Sequence, residues 1–486
     1  MSTIMSQSTE KEALSFENLR IFKDNSRFWT QCMGNSLFIF DQHISHLYRI
    51  TDQLKELILA ENAEDFERIK AGFPDEIIEE NAEFVTGILN IPDEPAGMER
   101  TRNSISTLKL NISSRCNLMC SYCFREKEED FIIEDKNLIY KAIDYLVYDC
   151  GRDMDSYTIC YNLASEPLMQ YELMEEIYKY IKKVRNKTGK KIELFFITNG
   201  TILDDKIIKL LKKVKKNRSL SISIDGPKEV HDKLRKYRNG AGTYDLIRRN
   251  LGILHKKGFK YAAEAVLSKN NPYPLLILQH LLDLGFDSVN IKPIRQGTEY
   301  SFDLSSLELL KKGYSAYFAY ITEQLIERRN TSILEILSKD YALRPFWRIL
   351  FNHKMDARCM WGINTISMDH KGDLYPCDSI MGNEQYKVGN IKEGINWEKF
   401  HQDLSSETRG ECGKCWARNV CAGTCPVNGV ILENDLLAID PVECALTRFL
   451  IEKNLLLICN LINHDINLNL IKNIMGYNLY RIYLSK

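Results

Sequence analysis

Between Leu108 and Ile294 the hydrophobic pattern switches repeatedly between two periods. Short, β-rich apolar runs at Leu108–Ile112, Tyr157–Asn162, Ile192–Thr198, Leu220–Asp225, Ala262–Leu267 and Ser288–Ile294 read as strands. The stretches between them repeat apolar residues at helical spacing. In Lys136–Tyr148, for example, Leu138, Ile139, Ala142, Ile143, Leu146 and Val147 share one face. Alternation of this kind predicts an α/β domain with a parallel sheet and crossover helices, whose functional groups sit at the C-terminal ends of the strands.

The flanks follow other patterns. Asn35–Phe40 and His46–Ile50 read as short strands, and Thr51 as the N-cap of a helix with Leu54, Leu57 and Ile58 in an apolar stripe. Amphipathic stretches near Asp65–Ala71 and Ile77–Leu89 follow, and Pro92–Gly97 reads as a linker. Two strands and three short helices predict a small winged-helix-like module over residues 1–95. A helical bridge is expected at about Asp303–Ser338, and an apolar-rich helix with a Tyr-containing tail over Leu450–Lys486.

Charge and composition narrow the partners. The 486 residues carry a net charge of −1, so no basic field points to nucleic acid. Glu61–Glu99 holds twelve acidic residues against Arg68 and Lys70, which argues against DNA binding by the first module. No apolar run reaches the ~18 residues of a membrane span, and the polar start MSTIMSQSTEKEALS lacks a signal-peptide core. A cytoplasmic protein without membrane or nucleic-acid partners is expected.

In that compartment fourteen cysteines call for metal or catalysis more than for disulfides. Cys32, Cys150, Cys160 and Cys459 stand alone and read as small core hydrophobes. The other ten fall into spaced motifs. Cys116, Cys120 and Cys123 form CxxxCxxC directly after the first strand. Three thiolates fill three of the four positions of a [4Fe–4S] cubane and leave one iron open. Further on come Cys359, Gly372-Asp-Leu-Tyr-Pro-Cys377, then Cys412, Cys415, Cys421 and Cys425, and finally Cys444. Cys412–Cys425 alone could be a zinc ribbon, but seven cysteines exceed one zinc site.

CxxxCxxC with Tyr122 before its last cysteine resembles the signature of the radical S-adenosylmethionine (SAM) enzymes. The resemblance implies a partial (β/α)6 TIM-like barrel over residues 100–300. It also implies a SAM molecule on the open iron, cleaved by one electron to a 5′-deoxyadenosyl radical that abstracts a substrate hydrogen. Ser165 and Glu166 lie in Ala164-Ser165-Glu166-Pro167, where the family has Gly-Gly-Glu-Pro against the SAM amino group; both glycines are replaced. Asn199, Ser223, Asp225 and Arg235 match family positions that reach the SAM carboxylate and ribose.

The later cysteines resemble a SPASM domain, here residues 346–450, which follows a helical bridge at 301–345 and precedes a helical tail at 451–486. Its interleaved pattern implies that Cys359, Cys377 and Cys425 hold one auxiliary [4Fe–4S] cluster and Cys412, Cys415, Cys421 and Cys444 a second, three clusters in all. Asp378 matches the proposed general base of anaerobic sulfatase-maturing relatives, or is an ordinary turn carboxylate. The module at 1–95 sits where peptide-modifying relatives bind the leader of a precursor peptide. The resemblance thus implies a maturase of ribosomally made peptides, most simply one closing Cys-to-carbon thioethers as in sactipeptides, with a flavodoxin or ferredoxin as electron donor. Sulfatase maturation, carbon–carbon crosslinking and a non-enzymatic cluster scaffold are the alternatives.

Overall fold

A computed structural model describes residues 14–25, 27–91, 103–123, 131–161, 165–214, 220–355, 357–359 and 361–479, with backbone only for 474–479. The expected linker at Pro92–Gly97, the extreme N-terminus, Asn162–Ala164 and the Tyr-containing tail from 480 onward lie outside the described residues.

The N-terminal strands are three, not two: β1 (Phe28–Met33), β2 (Ser36–Asp41) and β3 (His46–Ile50), antiparallel in the order β1-β2-β3. A helix at Phe16–Asp24 precedes them. The pairing Met33↔Ser36 leaves Gly34 and Asn35 as a two-residue hairpin loop, with Gly34 at φ +56°. Gly-Asn is the signal that marks β1; its own sequence, FWTQCM, mixes polar and apolar residues because only part of it is covered. Thr51 caps the following helix as expected, its hydroxyl accepting from the Leu54 N–H at 3.3 Å. Helices Asp52–Leu59, Ala63–Lys70 and Asp75–Leu89 then close a separate small core.

This module is fastened to the rest of the chain. β2 is buried along its whole length, with Leu37 and Ile39 in the module's core and Phe40 in the main one. Asn419 Nδ2 donates to the Gln42 carbonyl at 2.7 Å and Asn463 Nδ2 to that of Met33 at 3.2 Å. Removing the module would therefore uncover apolar surface on the body.

The six expected barrel strands form as β4 (Thr107–Leu110), β5 (Ser156–Tyr161), β6 (Lys191–Thr198), β7 (Leu220–Ser223), β8 (Ala262–Leu267) and β9 (Ser288–Pro293), adjacent in chain order and parallel. In β6 the alternation is strict: Ile192, Leu194 and Phe196 are buried under the helices and their neighbours face inward. The sheet does not stop at β4. Strand β10 (Thr365–Met368) adds in parallel on its other edge, and β11 (Asp373–Tyr375), β12 (Gly389–Asn390) and β13 (Gly394–Ile395) continue antiparallel. The cysteine-rich third is thereby welded to the barrel edge, a pairing between distant segments that no local pattern announces.

Two long helices cover the far side. Leu304–Ile326 begins with a capping box between Asp303 and Ser306, and the bridge then breaks at Arg329 (φ +53°) before a short helix at Ser332–Ile336. Pro441–Asn463 starts earlier than the apolar run suggests, because Asp440 caps it and Pro441 occupies its first turn. Among the described residues no helix is long and apolar enough to cross a membrane.

Candidate active site

The loop after β4 carries Cys116, Cys120 and Cys123, at the C-terminal ends of the strands as the α/β pattern requires. The backbone N–H of Met119 donates to the Lys236 carbonyl at 2.7 Å and that of Ser121 to Leu234 at 2.9 Å, so the loop is pinned to the segment after helix Lys228–Leu234. Asn117 joins it to the end of β6: Asn199 Nδ2 donates to Asn117 Oδ1 at 2.8 Å, and Asn117 Nδ2 to Thr201 Oγ1 at 2.8 Å. Gly200 between them has φ +74°, and a Cβ there would lie 2.9 Å from Ile222 Cγ2.

That pinning brings Tyr122 to Asp225 and Arg235. Arg235 Nη1 donates to the Tyr122 oxygen at 2.6 Å, and the Tyr122 hydroxyl donates to Asp225 Oδ2 at 2.6 Å. The guanidinium and carboxylate are 3.9 Å apart, so the phenol bridges a buried ion pair. Burial raises the Asp225 carboxyl despite the opposing Arg235 charge. The second Asp225 oxygen accepts from the Val266 N–H at 3.0 Å. Glu166 is equally enclosed: Thr198 Oγ1, the Asn199 N–H and the Leu168 N–H all donate to it, at 2.7, 2.6 and 3.1 Å. Burial raises its carboxyl too.

His231 stands behind Asp225. Its Nδ1 accepts from the Asp225 N–H at 3.2 Å, which places the ring proton on Nε2, 2.9 Å from Thr243 Oγ1. Burial, then the Arg235 charge, lowers this imidazole to about 3. A neutral histidine of this kind stabilises the fold above the unfolded value of about 6.5, and the contribution disappears as pH falls toward 3. At ~1.4 kcal/mol per unit this is roughly 5 kcal/mol. His231→Gln should therefore flatten the loss of stability between pH 6.5 and 4 in urea unfolding; an unchanged acid limb would show that other groups control it.

The remaining thiols lie across the barrel mouth. Electrostatic interactions among the thiols link Cys116 with Cys120 and Cys120 with Cys123, Cys359 with Cys377 and Cys425, and Cys412 with Cys415, Cys421 and Cys444. Burial raises the thiols of Cys116, Cys120, Cys359, Cys377, Cys425, Cys415, Cys421, Cys444 and Cys412, those of Cys116 and Cys412 to about 11, so bare these hold protons that bound iron would displace. Among the described residues no group of three or more His, Cys, Asp or Glu side chains is already gathered around a metal-sized site.

Asp378, next to Cys377, meets Lys109 Nζ at 2.6 Å. Burial would raise its carboxyl, but Lys109 and then Arg295 outweigh it and hold it below the usual range. Asp378 is therefore an ionised, weakly basic carboxylate. Arg295, after β9, faces the same group of thiols: Cys425, Cys377 and Cys359 all act on it. On the far wall Arg358 pairs with Glu443 at 2.7 Å, and Glu443 accepts from the Cys425 N–H at 2.8 Å.

One cavity of about 1070 Å³ joins these features. Its wall includes Cys116, Cys120, Tyr122 and Cys123 at one end and Cys359, Asp378 and Cys425 at the other. Ser165, Asn199, Ser223 and Arg235 also line it. Glu166 and Asp225 do not; both are fully buried behind the wall and spend their oxygens on protein donors. Cys377, Cys412, Cys415, Cys421 and Cys444 also lie off the wall.

Several residues in and behind the wall escape a reading of the sequence alone. Glu264 and Lys292 on the wall, and Lys109 behind it against Asp378, sit within strands at positions where alternation suggests solvent. In a partial barrel the inward face is the site, and Lys292 meets Glu264 there at 3.2 Å. The usable signal is a charge at alternate positions of a strand otherwise bound for a barrel.

Comparison with known proteins agrees with this geometry. Residues 110–272 match the radical SAM superfamily. A serine-type anaerobic sulfatase-maturating enzyme of Bacteroides thetaiotaomicron is 26% identical over 349 residues, 65% of this chain and 81% of that protein. An uncharacterised protein of Methanocaldococcus jannaschii is 30% identical over 277 residues, 57% of this chain and 85% of the other. The AdoMet-bound structure of anSMEcpe superposes with a TM-score of 0.62 at 20% identity, covering 76% of this chain and 98% of that one. Fold and site together define an α/β enzyme built to use SAM and a [4Fe–4S] cluster. The chain belongs to the radical SAM superfamily.

Proposed function

We propose that this enzyme modifies a ribosomally made precursor peptide and closes a thioether between a cysteine sulfur and a carbon of another residue. The observation that carries the reading is the single cavity whose two ends are lined by different groups of thiols. Cys116, Cys120 and Cys123 would hold the SAM-binding cluster, with SAM against Ser165, Asn199, Ser223, Arg235 and Tyr122. Glu166 and Asp225 act from behind, fixing the Asn199 turn and Arg235. Cys359, Cys377 and Cys425 would hold the first auxiliary cluster, and Cys412, Cys415, Cys421 and Cys444 the second, in a SPASM-type domain.

Exchanging one C–H and one S–H for a C–S bond removes two hydrogens and two electrons from the peptide. Bound, the cofactors supply an acceptor for one hydrogen atom and a sink for the other electron. The protein must hold the sulfur and take its proton. Three cysteines leave one position at the first auxiliary site for a substrate thiolate, a soft ligand. Asp378, kept ionised by Lys109, is placed to accept a proton from a thiol already acidified by such contact, and too weak a base for an ordinary one. The first module, winged-helix-like in its strands and helices, offers the edges of β1 and β3 to a leader segment. An external flavodoxin or ferredoxin would supply electrons.

Anaerobic reconstitution should give about twelve irons per chain, three cubanes of four; about four would remove the auxiliary sites. Mass spectrometry of a treated precursor should show two hydrogens lost per bridge and a cysteine that no longer alkylates. Two hydrogens lost with an alkylatable cysteine means carbon–carbon coupling instead. The second reading is sulfatase maturation, favoured by the relatives that carry that name and by Asp378. Conversion of a Cys or Ser to an aldehyde in a sulfatase-derived peptide would establish it.

A further inference from the structure

The cavity's charges do not balance. Four of its cations have partners: Arg235 with Tyr122 and Asp225, Lys292 with Glu264, Arg358 with Glu443, and Arg295 facing the thiols and Asp378. Asp440 is engaged as well, capping helix Pro441–Asn463 and accepting from Gln296 Nε2 at 3.1 Å and Asn428 Nδ2 at 2.9 Å. Arg238 is exposed.

Arg344 is different. It lines the cavity half-buried, and its Nε is buried without a hydrogen-bond partner. No carboxylate among the described residues lies within ion-pair distance of it. Its guanidinium rests over the Tyr341 ring, 5.5 Å from the centroid, and Arg358 lies 5.7 Å from the same ring. The ring thus carries two cations, of which only Arg358 is neutralised. Asp340, close in sequence, feels the Arg344 charge but is not bonded to it: its oxygens accept from the Ile291 N–H, the Tyr317 hydroxyl and the Ala342 N–H, at 2.8, 2.9 and 3.0 Å. Tyr341 bridges to the first auxiliary group, its hydroxyl accepting from Arg358 Nη2 at 2.9 Å. Asn428 Oδ1 and Ser379 Oγ, on the same stretch of wall, are also buried without partners.

We infer that Arg344 is the carboxylate-recognition residue of the substrate channel, so that the peptide segment entering the cavity bears an acidic group close to its reacting cysteine. A planar fork held against an aromatic face, with an unsatisfied N–H and no internal carboxylate at ion-pair distance, suits a carboxylate taken in two parallel hydrogen bonds. Lysine cannot reproduce that fork. An apolar or basic segment in the same channel would leave the guanidinium buried and unpaired. The inference rests on the peptide-modifying reading above.

The test uses the reconstituted full chain with SAM and no reductant, so that nothing turns over. The probes are blocked, fluorescent decapeptides with one central cysteine, flanked by glutamates in one and by glutamines in the other. A third, the glutamine peptide with a free C-terminus, compares a terminal carboxylate with a side-chain one. Anisotropy should show the wild-type chain binding at least one carboxylate-bearing peptide about tenfold more tightly than the blocked glutamine peptide, the scale of one charged hydrogen bond. Arg344→Gln should abolish that preference without weakening the glutamine peptide, and Arg344→Lys should restore only part of it. SAM affinity should be the same in all three proteins. Equal affinity of the wild-type chain for all the peptides overturns the inference and leaves the peptide reading standing. Failure of every peptide to bind overturns both. A preference that survives Arg344→Gln, or a tenfold loss of SAM affinity in that variant, assigns Arg344 elsewhere and overturns the inference alone.

Discussion

Replacing Cys116, Cys120 and Cys123 together by Ala should abolish SAM cleavage while leaving the chain folded. The three thiols sit on a loop held by backbone bonds from Met119 and Ser121 and by the Asn117–Asn199 pair, none of which uses a cysteine side chain. The scaffold therefore survives the substitution. The other seven motif cysteines belong to groups built on the segments that precede, join and follow β10 and β11, away from this loop. Iron should fall by about four atoms per chain, one cubane, with the rest retained. Reduction in the presence of SAM should yield no 5′-deoxyadenosine above background. The same yield as the wild-type chain would move the redox centre away from this loop. Loss of all iron would show instead that the thiol groups do not assemble independently.

Much of this arrangement is legible in the amino-acid order, for identifiable reasons. The barrel strands declare themselves because a strand covered by helices on one face needs apolar residues at every second position, and Ile192, Leu194 and Phe196 supply them. Cysteine spacing is legible because ligands of one centre must be near in sequence or repeated in a fixed order. What stays hidden is non-local or inverted in polarity. β10 reaches β4 from the far end of the chain, and only Thr365↔Thr107 through Met368↔Leu110 in register reveals that the two domains share a sheet. β1 hides because its FWTQCM run is only partly covered. Lys109 reads as a surface residue although its ammonium is buried against Asp378. Glu166 and Asp225 read as cofactor contacts through the family resemblance, and the structure encloses both behind the cavity wall. Lys109 and Asp225 face opposite charges inside the protein and Glu166 is satisfied by hydroxyl and backbone donors, and such partners come from segments that a local reading cannot bring together.

The enclosed Asp225–Tyr122–Arg235 bridge yields the largest stability effect expected of a single substitution. Arg235→Met removes the guanidinium and leaves Asp225, with no exposed surface, beside a phenol and one backbone N–H. An unpaired buried carboxylate costs about 3–5 kcal/mol, against a total stability of about 5–15 kcal/mol. In a chain of several modules this should appear as a drop of about ten degrees in the transition that unfolds the barrel. Asp225→Asn keeps an acceptor for Tyr122 and strands the cation instead, which Arg235 can partly relieve toward the cavity, so it should cost less. Combining the two removes both charges, and the double variant should be more stable than Arg235→Met alone. The pH dependence fixes the cause. Burial already raises the Asp225 carboxyl, and losing Arg235 raises it further. In Arg235→Met the folded state then binds a proton more tightly than the unfolded chain, so stability is gained as pH falls through the folded value. The deficit should be larger at pH 8 than at pH 5.5. A deficit equal at the two values, or a double variant no better than Arg235→Met, would assign the loss to packing around Tyr122 and not to the buried charge.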